Sequence, residues 1–384
     1  MFSRRVLQIE PFQVMEILAK AQRLERQGER VIHLEIGEPD FPTPEKVVEE
    51  AYRAMRRGDT HYTDARGIRE LREAISKHIY ETLGVEVNLS REVLVTGGVS
   101  LALQFVLASL LEPGDEVLIT DPSYPCYPNF IRFFDAKPVS VNLHSDYSLD
   151  LEDLKEKLSR RTKAILINTP SNPTGTYLTM EELRALCEVA SEAKAWVISD
   201  EIYSGLVYDA ERSPSILEAN YERSIMLDGF SKLYAMTGWR LGYVVASEEL
   251  LAQVLKLQQN FYISPSSFAQ HAAIAALSLH DEVKAMKAEF DRRRQYIIKR
   301  LKDIPGFEVH EPKAAYYVFP DVSEISTDSS ALAEYILDTA KVAVTPGIAF
   351  GRRGEGHIRI SYAASLENIA EAMDRIEKAV ENYG

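Results

Sequence analysis

Apolar positions recur along this chain with two different periods. Between residues 11 and 29, Phe12, Met15, Leu18, Ala19 and Leu24 fall at helical spacing, and the pattern stops near Gly28. An apolar run at 31–36 leads into the turn Gly37-Glu38-Pro39-Asp40. Residues 44–57 and 67–83 predict helices, with Pro44 suited to a first turn and Gly58 to a stop. From residue 93 short β-branched runs (93–96, 117–120, 164–169, 196–200, 224–227 and 241–246) predict strands. Helical patterns at 100–111, 124–134 and 180–193 lie between several of them. Residues 247–300 read as helical throughout. Beyond Gly306, strands are expected at 307–310, 315–319, 341–345 and 357–361, with helices at 329–339 and 366–382.

Strands that alternate with helices imply an α/β fold whose sheet is mixed but mainly parallel and covered by helices on both faces. The C-terminal pattern adds a smaller α+β domain. The expected division is an N-terminal segment 1–43 that contributes to the small domain, a large domain 44–289 and a small domain 290–384. A chain of 384 residues, 46% hydrophobic, is long enough for two cores.

Composition narrows the function. The net charge of −14 repels phosphate backbones and argues against general nucleic-acid binding, but a local site can oppose the global sign. Two cysteines, Cys126 and Cys187, make no disulfide framework, which fits a reducing compartment. The opening Met-Phe-Ser-Arg-Arg is not followed by a signal-peptide pattern, and no apolar run nears the ~20 residues of a membrane span. A cytoplasmic protein without membrane contact is the expectation.

Ligands of open parallel sheets sit beyond the carboxyl ends of the strands, and candidate residues fall there in succession. Gly97-Gly98 follows the first run and Tyr124 the second. Asn172-Pro173-Thr174-Gly175 follows the third, Asp200 ends the fourth with Tyr203 just beyond, and Ser231-Lys232 follows the fifth. Each alone has a plain reading: a turn, a cap, a loop or a half-buried aromatic. Five in a row point to one shared site. Arg240 and Arg359 sit in or near apolar strands, where an unpaired guanidinium is costly, so each needs an anion from a carboxylate or a ligand. His33 and His357 are read as structural, and no metal site is expected.

The segment Gly229-Phe-Ser-Lys-Leu-Tyr-Ala-Met-Thr-Gly-Trp-Arg-Leu-Gly-Tyr243 resembles the lysine signature of the class I/II aminotransferases, the aspartate aminotransferase family of pyridoxal 5′-phosphate (PLP) fold type I, in its prokaryotic branch. Motifs at 35–41, 62–67, 97–99, 121–128, 172–175, 200–203 and 357–362 agree in order along nearly the whole chain. The resemblance implies that Lys232 carries PLP and moves the substrate proton as a general base. It implies that Asp200 pairs with the ring nitrogen, that Tyr203 and Asn172 bond the ring oxygen, and that Tyr124 stacks on the ring. Gly98 and Val99 through their backbone, with Ser231 and Arg240, hold the phosphate, and Tyr62 reaches the phosphate of a second subunit in a homodimer. Arg359 clamps the substrate carboxylate, aided by Asn172 and the backbone of Gly37, and Tyr124 also lines the substrate pocket. It further implies cis bonds at Asp121–Pro122 and Asn172–Pro173.

Three positions depart from the pattern. Gly229 stands where many relatives have serine, Tyr124 where tryptophan is common, and Val99 where some relatives have a hydroxyl or a lysine linked to dicarboxylates. The leading expectation is an aminotransferase working on an L-amino acid and a 2-oxo acid such as 2-oxoglutarate by a ping-pong mechanism. Aspartate is favoured narrowly over aromatic amino acids or alanine. A PLP-dependent C–S lyase shares the signature. A DNA-binding fusion has no room before the motif at 35–41, and no Gly-x-Gly-x-x-Gly turn supports a nicotinamide enzyme.

Overall fold

Alternating apolar side chains can bury both faces of a strand only if each face is covered, and this chain does so with one seven-stranded sheet. In the computed structural model, which describes residues 2–383, the strand order is Val93–Thr96, Gly242–Val245, Ser224–Gly229, Trp196–Asp200, Thr162–Asn168, Glu116–Asp121 and Lys137–Asn142. Met1 and Gly384, the outer limits of the two expected terminal segments, lie outside the described residues. Six strands run in one direction, and Gly242–Val245 alone is antiparallel to both neighbours. Consecutive residues point to opposite faces. Ile165, Ile167 and Val197 therefore enter one core, and Leu166, Ile198 and Leu227 enter the other.

Local signals set the element ends. The helix Met180–Ala193 begins with a reciprocal cap: Thr179 Oγ1 accepts from the Glu182 N–H, and the Glu182 carboxylate accepts from the Thr179 N–H. The helix Glu45–Arg57 stops at Gly58, whose φ of 92° is easy only for glycine. The strand Lys137–Asn142 escaped the sequence reading. It is a half-exposed edge strand and carries Pro138, so it lacks the apolar run that marks a central strand.

The expected continuous helical region at 247–300 is corrected to three helices, Glu248–Phe261, Ser267–Ala276 and His280–Asp303. Pro265 lies in the first break, where a proline has no N–H to offer. The third helix crosses positions 289 and 290 without interruption. The strand expected at 307–310 does not form; a single bridge joins Glu308 to Asp321. Thr345–Pro346, Ile358–Ser361 and Tyr317–Val318 make a three-stranded antiparallel sheet, and Ile32–His33 pairs in parallel with Val342–Ala343. One core joins these C-terminal elements to Ile202 and Tyr203 beside the large sheet. Asp121–Pro122 and Asn172–Pro173 are cis, as expected, and so is Thr169–Pro170. Among the described residues no helix is long and apolar enough to cross a membrane.

His33, read as structural, sits between two carboxylates. Its Nδ1 lies 2.8 Å from Glu35 Oε1 and its Nε2 3.2 Å from Glu25 Oε1, and Glu35 is fully buried. The hydrogen bond to Glu35 outweighs the opposing effect of burial and raises the imidazole pKa from 6.5 to about 9. A raised folded-state value means that this stabilisation is complete below pH 6.5 and fades as pH climbs through 9. Thermal unfolding of the wild type is expected to lose stability across that window. His33→Gln is expected to be less stable at pH 6 and to show a flatter profile; identical pH profiles would count against the pairing.

Candidate active site

Because six strands share a direction, their carboxyl ends meet at one edge. Asp200 ends its strand there, and Lys232 comes three residues after the end of Ser224–Gly229. The antiparallel strand solves a separate problem. It begins at this edge, so Arg240, which precedes it, arrives beside residues that follow the parallel strands. The result is a cavity of about 310 Å³ whose walls include Gly37, Val99, Tyr124, Asn172, Asp200, Tyr203, Ser231, Lys232, Arg240 and Arg359. A larger cleft of about 770 Å³ opens behind these strands against Asp228 and Tyr243, but it contains neither Lys232 nor the Asp200 carboxylate.

Asp200 is buried, and Tyr127 Oη donates to its Oδ2 at 2.7 Å. Burial dominates and raises its pKa to about 6, opposed by the Tyr127 hydrogen bond, the Ile202 N–H and the charge of Lys232. Lys232 Nζ donates to the Gly37 carbonyl at 2.7 Å. Burial lowers its pKa to about 8, with Glu38 raising it and Arg359 and Arg240 lowering it further. Both groups are thus shifted toward neutrality by lost solvation, and no salt bridge joins them among the described residues.

Arg359 is 2% exposed. Its Nη1 donates to Asn172 Oδ1 at 3.0 Å, and its Nη2 donates to Thr345 Oγ1 at 3.2 Å and to the Glu35 carbonyl. Its Nε is buried without an acceptor. Asn172 is itself anchored, its N–H donating to Asn168 Oδ1 at 2.8 Å while Asn168 bonds the Asp200 carbonyl at 2.9 Å. Arg240, expected to need an anion, has no carboxylate partner among the described residues. Its side chain is exposed at the cavity, its φ is 53°, and Nη1 donates to the Thr237 carbonyl at 2.9 Å. The residue stands before the strand, not within it, so sheet burial does not reach its head group. Its Nη2 lies against Gly98, where an added Cβ would approach to 2.7 Å. Gly98, at φ 97°, opens the helix Val99–Leu110, whose first-turn N–H groups have no partner within the helix.

The expected site residues of this chain line the cavity, apart from Gly98, which borders it through Arg240, and Tyr62, which is 80% exposed and lies outside it. The sequence reading missed several others. Tyr127 and Tyr317 carry no signal beyond being aromatic. Phe12, Val14, Met15 and Leu18 form an apolar wall, and Phe12 meets Tyr124 edge to face at 6.1 Å. In the sequence, the helical spacing of Phe12, Met15 and Leu18 predicts a helix and gives no sign of a site.

These donors fit PLP. Lys232 offers an amine for an aldehyde, and the uncompensated Asp200 carboxylate suits a protonated ring nitrogen. The orphaned Arg359 Nε suits a carboxylate, and Arg240 beside a free helix N-terminus suits a phosphate.

Comparison with known proteins agrees. Residues 29–376 match the family described as aminotransferase class I and II. A (5-formylfuran-3-yl)methyl phosphate transaminase of Methanocaldococcus jannaschii is 49% identical, covering 98% of this chain and 99% of its own. An aspartate aminotransferase of Pyrococcus horikoshii is 41% identical, covering 99% and 97%. The solved structure of a Thermus thermophilus aspartate aminotransferase with maleate superposes with a TM-score of 0.94 at 36% identity, covering 99% of both chains. A Methanococcus jannaschii structure, described as similar in its active site to kynurenine aminotransferases, superposes with a TM-score of 0.91 at 48% identity, covering 99% of this chain and 100% of its own. With its cavity lined as the lysine signature implies, and its likeness to these relatives running nearly end to end, the chain belongs to the class I and II aminotransferases.

Proposed function

We propose that this aminotransferase holds PLP on Lys232 and moves an amino group between an L-amino acid and a 2-oxo acid such as 2-oxoglutarate in two half-reactions. The observation that carries this is a half-buried amine and a buried carboxylate in one cavity, flanked by two arginines that have no carboxylate partner among the described residues. When bound, PLP supplies an electron sink for the substrate Cα. Lys232, once free, takes the proton from Cα and returns it, and a pKa near 8 suits a base at neutral pH. Asp200 would keep its charge against a cationic ring nitrogen, helped by Tyr127. Tyr203 and Asn172 would donate to the cofactor's ring oxygen, and Tyr124 would pack against the ring. Ser231, Arg240 and the N–H groups at Gly98 and Val99 would bind its phosphate. Arg359, held by Asn172 and close to Gly37, binds the substrate carboxylate.

For the substrate side chain, the lining supports an aromatic or other apolar group over aspartate. Phe12, Met15, Leu18 and Tyr124 present carbon. Among the described residues of the cavity the cations are Lys232, Arg240 and Arg359, and each already has a task. Among the described residues of the cavity no further cation is left for a second carboxylate and Val99 supplies none, so the distal carboxylate of 2-oxoglutarate, like that of aspartate, gains no ion pair there and an apolar 2-oxo acid is the better-fitting acceptor. An aromatic aldehyde carrying a phosphate, as in the name of the M. jannaschii transaminase, is a second acceptor supported by the same apolar wall, with its anion on Arg359. We also propose a homodimer in the cytoplasm. Tyr62 at 80% exposure and Phe261 at 74% are apolar surfaces suited to a second copy, and Cys126 and Cys187 are free.

Three measurements test this reading. In single half-reactions followed by cofactor absorbance, phenylalanine or tyrosine is expected to exceed aspartate by at least about 10-fold in rate over binding constant; the reverse order returns the assignment to aspartate. Reductive labelling of cofactor-free protein with formaldehyde is expected to modify Lys232 with a midpoint near pH 8, and Lys232→Ala is expected to abolish transamination. A midpoint near that of surface lysines, or borohydride fixing the cofactor elsewhere, overturns the assignment. Arg359→Lys is expected to raise KM for amino and oxo acids alike, by about 10-fold, because both lose the planar fork; an effect confined to dicarboxylates means that Arg359 reads the side chain.

A further inference from the structure

Tyr317 touches three parts of the site at once. Its Oη lies 2.8 Å from Tyr203 Oη, and both residues are buried. The Arg359 guanidinium carbon sits 4.6 Å from the centre of its ring. The Tyr317 hydroxyl also occupies the space that a Cβ at Gly37 would need, so the strap carrying the Lys232 acceptor passes directly over it. The strand geometry explains the arrangement. Tyr317 is directly opposite Ser361 in the antiparallel pair, which puts Arg359, two residues earlier on the same face, diagonally across from it. Its ring is fixed by Tyr316 at 4.9 Å and Tyr203 at 5.8 Å, edge to face in the second case.

We propose that Tyr317 is a positioning residue that couples carboxylate binding at Arg359 to the hydrogen bond that Tyr203 gives the cofactor. The proposal rests on the PLP reading above. A phenol has one proton to donate. If Tyr203 donates to the ring oxygen, the 2.8 Å contact requires Tyr317 to donate to Tyr203. Accepting that bond polarises the Tyr203 hydroxyl and makes it a stronger donor. At the same time the Tyr317 ring face holds the guanidinium plane toward the cavity through a cation–π contact. The charge of Arg359 in turn makes the Tyr317 phenol a better donor, opposing the effect of burial. A bound carboxylate offsets that charge and weakens the chain of bonds, so the cofactor senses whether substrate is in place.

The test separates the hydroxyl from the ring. A donor to the ring oxygen stabilises its anion and lowers the basicity of the nitrogen linking Lys232 to the cofactor. In the holoenzyme Tyr317→Phe is therefore expected to shift the pH midpoint of the cofactor absorbance upward by about 0.3 to 1 unit. Adding 3-phenylpropionate is expected to move the midpoint of the wild type but to move that of Tyr317→Phe much less. In cofactor-free protein, calorimetry with 3-phenylpropionate is expected to give unchanged affinity for Tyr317→Phe and a loss of about 3- to 30-fold for Tyr317→Leu. Tyr362→Phe, which removes a buried hydroxyl bonded to the Ala315 carbonyl in the same core, controls for lost stability and is expected to leave both readouts alone. An unmoved midpoint in Tyr317→Phe, an equal shift in Tyr362→Phe, or full affinity in Tyr317→Leu would overturn the coupling. Absence of any cofactor absorbance in the wild type would instead refute the PLP reading, while the calorimetric arm would still report on the Arg359–Tyr317 contact.

Discussion

The site depends on a carboxylate held out of water without a salt-bridge partner among the described residues. Asp200 closes a strand in the middle of the sheet, where its main chain is committed to neighbours on both sides and its side chain has only Tyr127 and one N–H to replace solvent. Removing a charge from water raises its free energy, and partial hydrogen bonding does not restore it. The group is therefore poised either to take a proton or to meet a positive ligand. Everything around it bears on which happens. Tyr127 favours the charged form, and Lys232 adds a nearby cation whose own charge is weakened by the same burial.

A second constraint comes from strand direction. Parallel strands deliver their following residues to one edge, which accounts for Gly98, Tyr124, Asn172, Asp200, Ser231 and Lys232. Arg240 precedes its strand, and only because that strand runs the opposite way does the residue reach the same edge. Gly98 then has to be glycine twice over: its backbone lies in the left-handed half of conformational space, and the Arg240 guanidinium fills the place of a side chain.

The C-terminal elements contribute what the large sheet lacks. Arg359 and Tyr317 come from a separate antiparallel sheet and share a core with Tyr203, so the groups that grip a carboxylate and those that adjust the cofactor are packed as one unit. The apolar wall comes from the N-terminal helix Gln13–Arg26, with Phe12 just before it. Three distant stretches of sequence therefore share one small cavity, and the chemistry of the side-chain pocket is set by the stretch with the least distinctive sequence.

The alternation of apolar runs determined the α/β class and the mainly parallel sheet, because a strand covered on both faces must be apolar on both. The lysine segment determined the family, since its order of small, polar and basic residues is dictated by a phosphate, an amine and a tight turn. The positions of Asp200, Asn172 and Lys232 were legible because strand ends converge whatever the rest of the fold does. Tertiary structure decided the remainder. The edge strand at Lys137–Asn142 is specified by pairing, not by its own pattern. The exposure of Arg240 follows from where its strand begins, and the orphaned Nε of Arg359 from how Tyr317, Asn172 and Thr345 surround it. Tyr127 and Tyr317 look like any core tyrosines until their hydroxyls are located, because a hydrogen bond between residues 73 or 114 positions apart leaves no trace in local sequence.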